Sequence, residues 1–483
     1  MIIDSIHFDR DFLGAAVSVG ASRIRTVLGE HWEITVRTLD VLYAISLLGA
    51  IGAVPSVLKL FAQSAGAAKS SRQGPQLGQR CGFLIALAAC ILCLQGCVHT
   101  AIGDSRSPIH GVAPNSIRTL GPDGIFSDLS VQSAALRVHA LRGEEPVTIL
   151  AMSGGGADGA FGAGALVGLT RSESRTEFDV VTGVSAGALI APYAFLGPSW
   201  DAQLVEIYTT GQAKHLLQPR AFGALFGSSI YRGTPLHDLV GRYATDTVIQ
   251  AVAREAAAGR LLLIVTTDVE TGEPVVWDLG SIAMNGGDSA KALFRDVLVA
   301  SASVPGMFPP VVVRVREQRE TIEEVHIDGT VSLPFLVPTG FGDRRPGTKV
   351  YVIVDGRLSE PSLIVSLRAR SIVSRSVATG MTHMTRTMLE LTASNTSLQG
   401  ESLHYSAIPS GYPSATAFDF RVETMRSLFE YGYECARLGR LWISSQVVDR
   451  HTDSDLISAR QRIPCPGDNV LLTDVPVTVS AKP

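Results

Sequence analysis

The spacing of apolar residues divides the chain into an N-terminal part with two long uncharged runs and a longer part in which short apolar runs alternate with helical patterns. The two uncharged runs are residues 41–58 (VLYAISLLGAIGAVPSVL) and 81–98 (CGFLIALAACILCLQGCV), and each is about as long as a membrane-spanning helix. Pro55 interrupts the first run. Residues 1–70 are therefore interpreted as an extension whose apolar segment is either a membrane span or a product of a misassigned translation start.

Residues 71–97 have the layout of a bacterial export signal, in which a basic region precedes an apolar region and a processing site. Residues 59–80 contain four basic side chains and no acidic one, which predicts that they stay in the cytoplasm while everything after Cys97 crosses the membrane. Residues 94–97 (LQGC) resemble the lipobox of bacterial lipoproteins. This resemblance implies removal of residues 1–96, lipidation of Cys97, and anchoring to the outer membrane on its periplasmic side. The alternatives are a plain transmembrane helix or a helical hairpin.

The remaining chain predicts an α/β domain. Residues 98–124 are rich in Gly, Pro, Ser and Asn and are interpreted as a linker, and residues 125–146 as a leading helix. Short β-branched runs then alternate with helical patterns; the runs are residues 147–152, 178–182, 261–267, 325–327 and 349–354. Such alternation is typical of a mostly parallel central sheet with helices on both faces. We expect a catalytic domain over residues 147–342, completed by a C-terminal strand and helical part over 343–483.

Composition argues against nucleic-acid binding and a metal site, and it leaves the pairing of two cysteines open. The net charge of −4 shows no basic excess, so nucleic-acid binding is not expected. Four of the six cysteines lie in or at the end of the second apolar run, and Cys435 and Cys465 could form a disulfide or remain thiols. The histidines are scattered and no metal-site spacing occurs, so no metal or organic cofactor is implied.

A glycine-rich turn follows the first predicted strand. Gly154, Gly155 and Gly156 precede a helical pattern, which predicts uncovered backbone N–H groups suited to a phosphate or to a developing oxyanion. The same residues satisfy a G-x-G-x-x-G pattern with Gly159. A dinucleotide site also needs an acidic residue at the end of the next strand, and here that position is occupied by residues 183–185 (GVS), so no dinucleotide is expected.

The second strand-to-helix turn predicts a nucleophile. Residues 183–187 (GVSAG) form a G-x-S-x-G pattern between a strand and a helix, the context that exposes the central serine, Ser185, for attack. The alternative is that Ser185 only caps the helix that follows.

A nucleophilic serine needs a base, and the best candidate is Asp328, which precedes Gly329 at the end of a predicted strand. Its alternative role is that of a turn-forming residue, and Asp355 is the second candidate. The histidines downstream of Ser185 that were weighed for a Ser-His-Asp arrangement are His326, His383, His404 and His451.

Taken together, the glycine loop 154–156, the elbow 183–187, the Asp328-Gly329 pair and the segment 302–310 (ASVPGMFPP) resemble the patatin-like phospholipases. The resemblance implies a three-layer α/β fold, a Ser185–Asp328 dyad without histidine, and hydrolysis of lipid acyl esters. The helical pattern 423–442 resembles the C-terminal helix of that family more loosely. Two positions depart from the family pattern: Asp158, where a basic residue is frequent, and Thr330, where a small residue is frequent.

The sequence therefore predicts a membrane-tethered serine hydrolase of the phospholipase A or lysophospholipase kind, with a lipid or phospholipid substrate and a membrane as its partners. A membrane-anchored lipid-binding protein of the same fold without turnover, a Ser-His-Asp esterase and a nucleotide binder remain as alternatives. Reaction of Ser185 with a fluorophosphonate separates the enzymes from the rest.

Overall fold

A computed structural model describes residues 112–114, 118–120, 137–138, 140–143, 145–220, 228–317, 320–338, 347–359, 365–413, 416–444 and 464–468. The predicted membrane segments, the export signal with Cys97, most of the linker and leading helix, and His451 lie outside the described residues. Within these ranges, no helix has both the length and the hydrophobicity required to cross a membrane.

Eleven strands and nine α-helices occur in the described ranges. The strands are β1 (Val112–Pro114), β2 (Arg118–Leu120), β3 (Thr148–Met152), β4 (Val180–Val184), β5 (Leu261–Asp268), β6 (Pro274–Asp278), β7 (Val311–Glu317), β8 (Glu320–Asp328), β9 (Lys349–Val354), β10 (Ser402–Ala407) and β11 (Ile443–Ser444). The helices are α1 (Gly159–Arg171), α2 (Ala186–Leu196), α3 (Asp201–Thr209), α4 (Thr234–Tyr243), α5 (Asp246–Ala257), α6 (Leu279–Asn285), α7 (Gly287–Ser301), α8 (Ala369–Gln399) and α9 (Val422–Arg437).

The strands form one mixed sheet in the order β1-β7-β8-β5-β4-β3-β9-β10-β11, with β6 paired to both β5 and β2. The five consecutive strands β5, β4, β3, β9 and β10 are parallel. Every residue of β4 and β5 is buried, because helices cover both faces of the sheet. The predicted α/β class, with a mostly parallel central sheet flanked by helices, is confirmed.

Strand β8 differs from the alternating parallel pattern, because it runs antiparallel to β5. Strand β6 occupies one edge of β5 from Leu263 to Thr267, so β4 and β8 must share the other edge. Strand β4 pairs with residues 261–265 of β5, and β8 pairs with residues 266–268. The carboxyl ends of β4 and β8 therefore meet head-on, which brings the residues that follow β4 next to the last residue of β8.

Glycines allow α9 to pack closely on α1. A Cβ added at Gly164 would lie 2.0 Å from the Phe429 carbonyl oxygen, and one at Gly168 would lie 2.2 Å from that of Tyr433. The backbones of the two helices are thus in direct contact. Helix α9 ends at Arg437, earlier than the pattern 423–442 suggested.

The two remaining cysteines pair. Cys435 on α9 forms a disulfide with Cys465. Two hydrogen bonds also hold the segment around Cys465. The Gly467 N–H donates to the Arg440 carbonyl at 2.9 Å, and the Tyr431 hydroxyl donates to the Pro464 carbonyl at 2.6 Å. Residues 464–468 are therefore fastened to the end of the helix that supports α1.

Candidate active site

Ser185 occupies a strained turn between β4 and α2. Its φ is 53°, and Glu173 is the other non-glycine residue of the described ranges with a positive φ. The two flanking glycines permit the turn: a Cβ at Gly183 would lie 2.6 Å from the Gly187 carbonyl oxygen, and one at Gly187 would lie 2.5 Å from that of Met152. A non-glycine residue is held in the left-handed region only where the surrounding structure enforces it, and this occurs most often at functional sites.

The Ser185 hydroxyl does not cap α2. It donates instead to Asp328 Oδ2 at 2.5 Å. Both side chains are buried, with 4% of Ser185 and 2% of Asp328 exposed. The helix-cap interpretation of Ser185 is therefore wrong, and the geometry is that of a hydroxyl aligned with a proton acceptor.

The pKa of Asp328 is raised from its ordinary value to about 6, because burial penalises the charged carboxylate. Hydrogen bonds from the Ser185 hydroxyl and from Thr330 act in the opposite direction. The Thr330 N–H donates to Asp328 Oδ1 at 2.8 Å, and the Asp328 N–H donates to the Ser303 carbonyl at 3.0 Å. The carboxylate is thus fixed in orientation and has a pKa close to the range that suits a general base near neutral pH.

The glycine loop lies directly against the nucleophile. A Cβ at Gly154 would be 2.2 Å from Thr330 Oγ1 and 3.0 Å from Ser185 Cβ, so only glycine fits there. The Gly154 N–H is engaged, since it donates to the Pro334 carbonyl at 3.2 Å. The N–H groups of Gly155 and Gly156 have no partner within the part of the chain that the structure describes.

Two supporting residues were missed by reasoning from the sequence. Ala186 is the residue after the nucleophile, in the first turn of α2, and its backbone N–H donates no hydrogen bond within the described ranges. This N–H is therefore a third potential donor to an oxyanion, beside those of Gly155 and Gly156. The elbow motif itself carried this signal, because the residue after such a nucleophile often donates to the oxyanion. Ser301 accepts from the Ser185 N–H at 2.9 Å and donates to the Val265 carbonyl at 2.6 Å, joining the elbow to β5. No local motif marked Ser301.

The described histidines make their contacts elsewhere. His326 is fully buried between Thr266 and Glu324, at 3.1 and 3.2 Å from its ring nitrogens, and packs edge-on against Trp277. His404 on β10 contacts Ser444 and stacks on Tyr351, and β10 is separated from β4 by two strands.

The third described candidate, His383 on α8, lies within hydrogen-bonding distance of Arg386. Within the described ranges, the Ser185 hydroxyl and the Asp328 carboxylate bond to each other and to Thr330, so no described histidine hydrogen-bonds to either side chain.

Asp355, the second candidate base, lies beneath the glycine loop. Its carboxylate accepts from the Gly162 N–H of α1 at 2.9 Å, and its own N–H donates to Ser153 Oγ at 2.9 Å. Burial raises its pKa well above the usual range, and the nearby Asp158 raises it further. Asp355 therefore holds the loop against α1 and does not hydrogen-bond Ser185. Within the described part of the chain, no group of three or more His, Cys, Asp or Glu side chains could bind a metal ion.

Part of the chain is similar to known proteins. Residues 150–339 match the model of the patatin-like phospholipase family. The chain is also similar in structure to VipD from Legionella pneumophila, with a TM-score of 0.31 and 13% sequence identity, over 62% of this chain and 68% of that chain. No curated protein matches the sequence.

The matched segment supports a lipid acyl hydrolase domain of the α/β class. Residues 150–339 thus match a patatin-like phospholipase domain, a family whose members act on lipid substrates.

Proposed function

We propose that the protein is a serine hydrolase of lipid acyl esters, of the phospholipase A or lysophospholipase kind, which uses a Ser185–Asp328 dyad without histidine. The observation that carries the proposal is the 2.5 Å hydrogen bond between the Ser185 hydroxyl and Asp328 Oδ2 at a strained elbow. No other described titratable side chain bonds to that hydroxyl.

In the first half-reaction, Ser185 Oγ attacks the acyl carbonyl carbon while its proton passes to Asp328 Oδ2. The carbonyl oxygen becomes an oxyanion as the new C–O bond forms. Collapse of this intermediate breaks the bond to the alcohol, which leaves with the proton held by Asp328 and leaves the acyl group on Ser185. In the second half-reaction, Asp328 takes a proton from water, hydroxide adds to the acyl carbon, and the fatty acid and the serine hydroxyl are released.

The oxyanion is stabilised by backbone N–H groups, because these donors are fixed in place before the charge develops. Gly154, Gly155 and Gly156 are the predicted donors, and the absence of described partners for the N–H groups of Gly155 and Gly156 supports this role for these two. The Ala186 N–H at the start of α2 adds a third donor. Gly154 contributes to this site mainly by its lack of a side chain, since its N–H is held by the Pro334 carbonyl.

We also propose that the domain is tethered to a membrane through Cys97 and faces the periplasm. The Cys435–Cys465 disulfide supports an oxidising compartment, because such bonds are rare in reducing cytosol. Mass spectrometry of the membrane-extracted chain tests the tether: a lipidated N-terminus at Cys97 is expected, and an unmodified chain beginning at Met1 contradicts it.

The catalytic proposal is tested by fluorophosphonate labelling and by turnover of a short-chain ester. We expect labelling of the wild-type chain and none of Ser185→Ala. The matched controls are His326→Gln and Asp355→Asn, which alter buried polar groups outside the dyad. Retained labelling of Ser185→Ala sinks the assignment, and loss of turnover in His326→Gln with retention in Asp328→Asn favours a triad. A folded wild-type chain that neither labels nor turns over, yet binds lipid, is the non-catalytic alternative.

A further inference from the structure

Helix α8 is much longer than the strands on which it packs. It contains 31 residues, which corresponds to a length of about 46 Å. Strands β9 and β10 have six residues each, which corresponds to about 20 Å. More than half of the helix must therefore extend past the sheet.

The end that extends past the sheet is the N-terminal one. Helix α8 leads into β10, whose first residue pairs with the first residue of β9, so its C-terminus lies at the amino edge of the sheet. The buried side chains of α8 are Thr385, Leu389, Thr392 and Thr396. Residues 385–399 thus span the sheet, and residues 369–384 extend by about 24 Å past its carboxyl edge. Strand β4 also ends at this carboxyl edge, and Ser185 is the residue that follows it.

The extended end carries large apolar side chains in solvent. Leu367, just before the helix, is 93% exposed, and Val373 and Val377 are 61% and 58% exposed. Ile372 is also exposed and lies about 100° around the helix axis from Val373. A seam for a partner helix would occupy one narrow stripe. Val377 and Met381, the latter 38% exposed, continue the stripe of Val373. With Ile372 beside it, this apolar face covers about half of the helix circumference, which is wider than such a seam and suits a helix lying in a membrane interface.

The charge of this region has one sign. From residue 361 to residue 389 the sequence contains four arginines, at positions 368, 370, 375 and 386, and no aspartate or glutamate. Apolar side chains combined with arginines are the composition of elements that lie in a bilayer interface and attract anionic headgroups. Arginine also keeps its charge at the headgroup level while its stem lies in apolar surroundings.

We propose that residues 367–384 form an interfacial anchor that inserts into the surface of an anionic lipid bilayer. This anchor is separate from the lipidation at Cys97. Its position at the carboxyl edge would bring that edge towards the membrane, and this orienting role rests on the proposed function. The binding itself does not require turnover.

Hydrogen exchange tests the anchor directly and is independent of the tether. The full chain carrying Ser185→Ala, which leaves vesicle lipids intact, is compared with and without vesicles of phosphatidylglycerol or phosphatidylcholine. Amides of residues 367–384 should exchange at least tenfold more slowly with phosphatidylglycerol vesicles, whereas residues 385–399 should be unchanged. Unchanged exchange in residues 367–384 refutes the anchor. Slowing that depends on protein concentration without vesicles refutes it in favour of self-association.

Two substitutions sharpen the test. Val373→Asp together with Val377→Asp should abolish the slowing, while Leu398→Asp, at the exposed opposite end of the same helix, should preserve it. Arg368→Gln should weaken binding to phosphatidylglycerol by about fivefold. Equal effects of the Leu398 and Val373/Val377 changes contradict the proposal.

Turnover of a soluble short-chain ester by the same variants in a Ser185 background should be unchanged, which shows that they fold. If the chain hydrolyses the ester but its hydrogen exchange is not slowed by vesicles, the anchor is refuted and the proposed function stands. If vesicles slow its hydrogen exchange but the chain hydrolyses no ester, the proposed function is refuted and the anchor stands.

Discussion

Replacing Asp328 by Asn should lower activity and raise stability at the same time. The asparagine keeps the shape of the side chain, and its oxygen can still accept from the Thr330 N–H. It cannot accept the Ser185 proton, so turnover of an ester should fall by roughly 10²–10⁴. The stability gain arises because the folded wild-type chain holds a carboxylate in a buried position.

The magnitude follows from the raised pKa. The pKa of Asp328 is about 6 in the folded chain against an ordinary value of 3.8, so the folded state binds a proton more tightly than the unfolded state. The contribution to stability is fully present below about pH 4 and is lost as the pH rises through about 6. The total loss is about 3 kcal/mol, at about 1.4 kcal/mol for each pH unit. Of this, about 2 kcal/mol falls between pH 4.5 and pH 8.

The assay is urea unfolding followed by tryptophan fluorescence across this pH range, with the chain in non-ionic detergent. The free energy of unfolding of the wild type, relative to Asp328→Asn, should fall by about 2 kcal/mol from pH 4.5 to pH 8. Ser185→Ala is the matched control, because it removes activity and retains the buried carboxylate. Its stability should still depend on pH, at least as steeply as that of the wild type, since the Ser185 hydrogen bond lowers the pKa of Asp328.

Turnover by the wild type supplies an independent measure of the same group. Because the base must be ionised to accept the Ser185 proton, activity should rise with pH through about 6 and be roughly tenfold lower at pH 5 than on the plateau. A relative stability that does not change with pH refutes the raised pKa. Full activity of Asp328→Asn refutes its role as the base.

The remaining predictions concern the elbow, the glycine loop and the disulfide. The free energy of unfolding of Ser185→Gly should exceed that of Ser185→Ala by about 1 kcal/mol, because glycine tolerates a φ of 53°. Equal free energies of unfolding would show that the turn is unstrained. Gly154→Ala should reduce ester turnover at least 100-fold, because the new Cβ would meet Thr330 and the nucleophile, while Gly241→Ala, which meets nothing within 4 Å, should leave turnover unchanged. Cys435→Ser should lower the free energy of unfolding by about 3–4 kcal/mol, from the loop of 30 residues that it opens, and an unchanged urea midpoint would contradict this.

Much of the local architecture could be read from the sequence. The turn at Ser185 needs a strand, two glycines and a helix start within about fifteen residues, and these are local properties of the chain. The α/β class likewise follows from alternating buried strands and helices, since each strand that is covered on both faces must be apolar throughout. The glycine loop was recognisable because it, too, is a local pattern between a strand and a helix.

The tertiary structure decided how distant segments meet. Asp328 lies beside Ser185 because β6 fills one edge of β5 and forces β8 to continue the edge that β4 leaves, a competition between strands far apart in sequence. The same holds for the Gly154 N–H, which is engaged by Pro334, and for the pairing of Cys435 with Cys465. Local periodicity determines which face of an element is apolar, but strand neighbours, hydrogen-bond partners and disulfides depend on contacts that form only when the whole chain is packed.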